Sequence, residues 1–321
     1  MSIKKKKFRF LDSQESMFFE RDLEVIKATT YDQPFPELKA MSGGLPISME
    51  AGPAAATVVF RSFSETGMAK FVSNYSDDNP RVDIAGIEES VHVRSIGVAY
   101  GYSVMDIRFA AKQNISLSNR KAIAARRANE ILMNKSAWLA RAADPEYVGL
   151  TGLFYNPNIT SYKSKEETGK FIWAEKTNSA IVEDINTLCN TPSELTNGHE
   201  IPNVFRCPLA QFTRISTTKL DEGSDVTILD WVKKVNPHIL KWDWLSECKG
   251  LPIIPSTGAA GPTDIAIVYN NSLEKLSLEI PVPFEQFPPE ARNLEFVINC
   301  LSRFANVLIY YPLSVALVES I

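Results

Sequence analysis

A chain of 321 residues exceeds what one hydrophobic core usually holds, so two domains or one large composite body are expected. Its hydrophobic fraction of 45% and charged fraction of 22% are those of a globular protein, and a net charge of −4 argues against a dedicated nucleic-acid binder. Cys189, Cys207, Cys248 and Cys300 form no CxxC pair, and His92, His199 and His238 lack ligand-spaced neighbours, so zinc has no evident site and the thiols read as free.

The opening "MSIKKKKFRFLDSQES" carries positive charge without an apolar stretch behind it, so it is not a secretory signal. Lys4, Lys5, Lys6, Lys7 and Arg9 read as a mobile basic tail. A helix is predicted from Asp12 or Ser13, with Glu15 placed for a capping box and Phe19, Leu23 and Ile26 on one face. The stretch Tyr31 to Pro36 stops it, because proline disfavours helix in the residue before it. From Gln33 to Pro53 Pro and Gly are frequent and periodicity is weak, the pattern of an extended arm that packs on something else.

"TVVFRSFSETGMAKFVSNYSDD", Thr57 to Asp78, predicts a β-hairpin around the turn Ser64-Glu65-Thr66-Gly67. That turn sets Phe63 opposite Met68, Arg61 opposite Lys70 and Phe60 opposite Phe71. Both faces are then apolar around two opposed cations. Directly opposed like charges weaken a ribbon that is already marginal alone.

Val91 to Ile96 alternate and continue through aromatics to Tyr102, predicting a strand of a main sheet, and "VMDIRFAAKQN" predicts a short helix. The longest helical signal runs from about Ser118 to Ala143. Ala124, Ala128, Ile131, Leu132, Trp138 and Leu139 fall on one side, the expected buried face, with Lys135 inside it and in need of water or a carboxylate. Arg126 and Arg127 read as a solvated flank. Between Val148 and Asn271 strands and helices alternate as in an α/β subdomain, with Ile181, Ile185 and Leu188 on one helix face and "DIAIVYN" as a continuous apolar strand. The last third is strand-rich. Val307 to Ile321, interrupted by Pro312, reads as two buried strands and not as a membrane segment.

A search for chemistry returns little. GxSxG, GxxxxGK[ST] and HExxH are absent, and "SGGLP" and "STGAAGP" read as ordinary turns. Asp77-Asp78 and Glu88-Glu89 are neighbours that point to opposite faces of a strand, so neither pair converges on one ion. His92 reads as a packed histidine, and Trp242 and Trp244 as packing residues. The basic tail and the Arg61/Lys70 pair among phenylalanines suit single-stranded nucleic acid, but the acidic total keeps such contact weak and local. No catalytic residue, cofactor or metal is expected.

The stretches "FFERDLEVIKATTYDQPFPELK", "EAGPAAATVVF", "NYSDDNPRVDIAG", "GYSVMDIRFA", "NRKAIAARRANE", "GLTGLFYNPNI", "FEQFPPEARNLEFV" and "IYYPLSVALVESI" resemble, in order, the blocks of the tailed-bacteriophage major capsid protein family. The resemblance spans about Phe18 to Ile321, and the family is similar to encapsulins in fold. It implies an α+β fold with an N-terminal arm over residues 1–55 and an extended hairpin loop over 56–88. A peripheral domain with a long spine helix would occupy 89–143 and regain strands at 274–305. An axial domain would occupy 144–273 and take its last strands from 306–321. It further implies hexamers and pentamers in an icosahedral virion shell around double-stranded DNA, assembled in the host cytoplasm, with portal, scaffolding or decoration proteins as partners and no membrane. Phe60, Arg61, Phe63, Met68, Lys70 and Phe71 are then expected to contact neighbouring subunits. Lys4, Lys5, Lys6, Lys7 and Arg9 are expected to touch DNA or a neighbour. An encapsulin-type shell around protein cargo is the alternative, and a cytosolic enzyme with an α/β domain a third reading.

Overall fold

The computed structural model describes residues 37–71, 81–113, 117–147, 149–221, 223–251 and 262–321; the basic tail and the helix predicted from Asp12 lie outside them. From Leu38 to Ser48 the chain is seated on its own body, although this stretch reads in the sequence as part of an outreaching arm. Ala40 and Leu45 are buried around a wide helical turn, Ala40–Gly44, and Ile47–Ser48 (β1) pairs in parallel with Leu278–Glu279. Lys39 explains the seat: its ammonium lies 2.7 Å from Asp243 and 3.8 Å above the Trp244 ring.

Next come Thr57–Thr66 (β2) and Asp83–His92 (β3), which pair antiparallel over ten residues each. The expected turn at Ser64–Gly67 is therefore corrected. The first strand runs on to Thr66, and its partner begins only at Asp83. Arg61 faces Glu88, not Lys70, and Phe60 faces Glu89, not Phe71. The longer register replaces an opposed pair of cations with an opposed pair of opposite charges, which favours it. The alternating run from Val91 also divides. Val93 is a buried break whose N–H donates to Ala56, and Arg94–Ser103 (β4) then enters a different sheet.

Two helices follow, Val104–Gln113 (α1) and Leu117–Leu139 (α2). The buried side of α2 is Ala125, Asn129, Met133, Asn134, Ser136, Ala137 and Trp138, about one residue's rotation from the expected stripe. Ala124 and Ala128 are exposed, Ile131 and Leu132 half-covered, and Trp138 is buried as expected. Partnered polar side chains decide the rotation. Asn129 donates to Ser302 Oγ at 2.7 Å and accepts from it at 2.9 Å, while Asn134 accepts from the Ala40 N–H and donates to Glu247. The helix ends at Leu139, where Gly152 docks. A Cβ on Gly152 would lie 2.7 Å from backbone atoms of Trp138 and Ala140, so only glycine permits the approach.

Thr160–Lys163 (β5), Asn178–Leu195 (α3), Val204–Cys207 (β6), Leu209–Thr217 (α4), Ile228–Val235 (α5), Lys241–Trp244 (β7) and Ile265–Tyr269 (β8) build the central body. The closing elements are Leu276–Glu279 (β9), Val282–Gln286 (β10), Glu290–Arg292 (β11), Glu295–Phe304 (β12), Val307–Ile309 (β13) and Val315–Glu319 (β14). A five-stranded sheet runs β5-β14-β8-β6-β7. Its inner strands β14, β8 and β6 are buried at every position because both faces are covered. On one face Ile265, Ile267, Tyr269 and Leu317 meet Trp138, Phe154 and Leu45. On the other, Ala266, Val268, Phe205 and Val318 meet Ile181, Ile185 and Leu188 of α3 and Ile228 and Val232 of α5. Thr177 caps α3 and Thr227 caps α5, each accepting the backbone N–H three residues on. β12 pairs along its whole length with β4 and also with β10 and β11, and β9 lies between β1 and β13.

Candidate assembly interface

β2 and β3 form a two-stranded ribbon whose base rests on the body and whose outer half is exposed among the described residues. At the base, Val58, Phe60, Glu89 and Val91 are half-buried, and the Phe60 ring meets Tyr310 edge-on at 5.2 Å. Arg303 clamps the lead-in strand, donating to the carbonyls of Pro53 and Ala55. Beside it lies a cleft of about 410 Å³ lined by Ser48, Glu50, Phe60, Glu279 and Tyr310 among others.

Beyond Arg61 both faces are open. Arg61 Nε donates to Glu88 Oε2 at 2.9 Å on one face. The same face carries Phe63, 70% exposed, and Ile84, 60% exposed. Phe63 lies across Gly86, where a Cβ would come within 3.1 Å of the ring, so the glycine makes the bed for the aromatic. The opposite face carries Ile87, equally bare. Past the strands, Met68, Lys70 and Phe71 are all exposed, Phe71 completely so. Of the residues expected at the interface, Arg61, Phe63, Met68, Lys70 and Phe71 are exposed. Phe60 is not: its ring is engaged within its own chain. Lys4, Lys5, Lys6, Lys7 and Arg9 lie outside the described residues. Ile84 and Ile87 are the interface candidates that sequence reading missed. A hairpin closed at Gly67 left no place for them, although both lie in an apolar-containing stretch, "VDIAGIEES".

Among the described residues no group of three His, Cys, Asp or Glu could hold a metal ion, and no helix is long and apolar enough to cross a membrane. Burial pushes the thiols of Cys189, Cys207 and Cys248 far up, away from the thiolate form. Besides Lys275 and Glu200 at 2.6 Å, two further largely buried ion pairs are structural. Lys176 and Asp184 meet at 2.5 Å, with Ser164 and Trp173 also donating to the carboxylate. Lys39 and Asp243 form the other. Burial alone would raise the Asp243 carboxyl, but the Lys39 ammonium and the Trp244 N–H together hold it below its ordinary value.

A family model described as "Major capsid protein" matches residues 67–321. The chain belongs to the major capsid protein family. As expected of a major capsid protein, its fold is that of tailed-phage shells. It is similar to the structure titled "The capsid of Myoviridae Phage XM1", with 15% identity, a TM-score of 0.78 and coverage of 95% of this chain and 99% of that one. It is also similar to a structure from Mycobacterium phage Adephagia, with 10% identity, a TM-score of 0.63 and coverage of 96% and 97%. A third likeness, "Capsid of native GTA particle computed with C5 symmetry", has 7% identity, a TM-score of 0.59 and coverage of 94% and 96%. No curated protein matches the chain by sequence. The expected α+β capsid fold is thus borne out.

Proposed function

We propose that this major capsid protein assembles as hexamers and pentamers into an icosahedral shell that encloses the double-stranded DNA genome of a tailed bacteriophage. The observation that carries the reading is the ribbon of β2 and β3, bare on both faces with Phe63, Ile84 and Ile87 outermost. Apolar surface of this kind marks an interaction site. Covering each of those side chains fully contributes about 1.5–3 kcal/mol, whereas association costs about 4–15 kcal/mol. One hairpin contact therefore holds a neighbour weakly, and a closed ring of such contacts holds it firmly.

In this reading residues 56–88 are the extended hairpin loop. Residues 89–143 and 274–305 form the peripheral domain, with α2 as its spine. Residues 144–273 and 306–321 form the axial domain, and 1–55 the arm. The location is the virion, after assembly in the host cytoplasm. Portal, scaffolding or decoration proteins are the expected partners, and contact with DNA is weak, in keeping with the net charge of −4. Electron microscopy of the purified protein tests the reading: closed shells of uniform diameter are expected, and a small monodisperse oligomer overturns it. Nuclease-protected DNA inside particles from infected cells separates this reading from an encapsulin-type shell, which would hold protein cargo instead.

A further inference from the structure

Arg206 is a buried cation whose nearest carboxylate is engaged elsewhere. It is 1% exposed, its Nε and Nη1 have no hydrogen-bond partner, and its guanidinium lies 5.6 Å from the Trp138 ring. β6 and β7 run in parallel with Arg206 beside Asp243. Paired residues on neighbouring strands share a face, and here Phe205 and Trp242, with ring centres 4.8 Å apart, occupy the opposite one. The register therefore offers Arg206 a counter-ion on its own side of the sheet. Asp243 instead accepts from Lys39 Nζ at 2.7 Å and from the Trp244 N–H at 2.8 Å. One carboxylate faces two cations.

Lys39 arrives with the segment Leu38–Ser48, and the same segment seals Arg206. A Cβ on Gly44 would come within 3.1 Å of Arg206 Nη1, so backbone closes over the guanidinium. Seating the segment thus strands a buried charge, which is costly when its partner is taken away. What holds the segment down is modest. Ala40 and Leu45 are its buried apolar side chains, and the Ala40 N–H donates to Asn134. Tyr269 Oη donates to the Gly44 carbonyl, and Ile47–Ser48 pairs with β9 over two residues. Opposing terms of this kind let two arrangements of one element compete.

We propose that Leu38–Ser48 is a releasable strap with two states, in which Asp243 holds Lys39 when the strap is seated and Arg206 when it is lifted. Lifting exchanges one ion pair for another, so the carboxylate is never left alone. Eleven residues are let out, with an extended reach of about 36 Å, while the sheet stays folded.

Amide exchange in the full-length chain, dispersed as subunits, tests this whether or not shells form. Arg206→Met removes the partner of the lifted state and the stranded charge together, so exchange at Ala40 and Leu45 should slow about ten-fold. A guanidinium that merely packed the core would give the reverse, faster exchange through the whole body. That result, or an unchanged rate, overturns the proposal. Lys39→Met leaves Arg206 in place and decides the matter if the first variant does not fold. Exchange at Ala40 and Leu45 should then quicken about ten-fold. The Arg206 Nε–H signal, observed with heavy-nitrogen arginine, should shift as it meets the carboxylate, and adding Asp243→Asn should return it toward its parental position. A signal that Lys39→Met leaves unmoved, or whose shift survives Asp243→Asn, overturns the proposal.

Discussion

Arg61 Nε lies 2.9 Å from Glu88 Oε2, so the cation that a short hairpin would have opposed to Lys70 is answered from β3 of its own chain. Both side chains are more than half exposed, which limits the pair to about 1 kcal/mol or less. Its value lies in register: a slip of one residue would put both charges on opposite faces. Arg61→Glu is expected to speed amide exchange along β2 and β3 about five-fold. Arg61→Glu combined with Glu88→Arg should return it to the original rate, and equal exchange in all three proteins would refute the pairing.

Phe63→Ser and Ile87→Ser separate folding from assembly. Neither side chain supports the body, so each variant should melt within about 2 °C of the parent. Shell formation, followed by sedimentation, should be lost. Phe60→Ser behaves differently: removing the contact with Tyr310 should cost the isolated subunit about 1 kcal/mol. Normal shells from the Phe63 and Ile87 variants would remove the hairpin from the interface.

Asp184 holds a buried charge in place. Asp184→Ala strands the fully buried Lys176 ammonium and should cost about 3–5 kcal/mol in chemical denaturation. Adding Lys176→Met should recover most of that loss. A single variant as stable as the parent would mean that Lys176 finds another partner.

Acid should loosen the segment Lys39–Leu45. The folded Asp243 carboxyl sits below its ordinary value, so its contribution is complete above that value and drains away as pH falls through the lowered one. Amide protection around Ala40 should therefore fall below about pH 4. In Asp243→Asn protection should be weaker at neutral pH and flatter across the acid range. An identical acid profile in the variant would assign the loosening to another group.

Much of the body was legible from single residues. Ile181, Ile185 and Leu188 mark the buried face of α3 because a helix on a sheet repeats its contacts every turn. "DIAIVYN" marks β8 because a strand covered on both faces needs no alternation. The hairpin was legible as a hairpin, but its length was not. Ser64-Glu65-Thr66-Gly67 is good turn chemistry, and only the pairing of Arg61 with Glu88, from 27 residues away, shows that the chain passes through it extended. The face of α2 misled for a related reason. Asn129 and Asn134 add nothing to an apolar stripe, yet Ser302, Ala40 and Glu247 satisfy them in the interior, and hydrophobic periodicity carries no record of distant partners.

β14 lies inside the five-stranded sheet, between β5 and β8. During synthesis the ribosome releases the hairpin and α2 long before Val315–Glu319 exists, and until then β5 and β8 have no strand between them. A nascent chain therefore presents its adhesive ribbon while its body is still unfinished. Only when β14 enters between β5 and β8 does the sheet at the centre of the body become continuous.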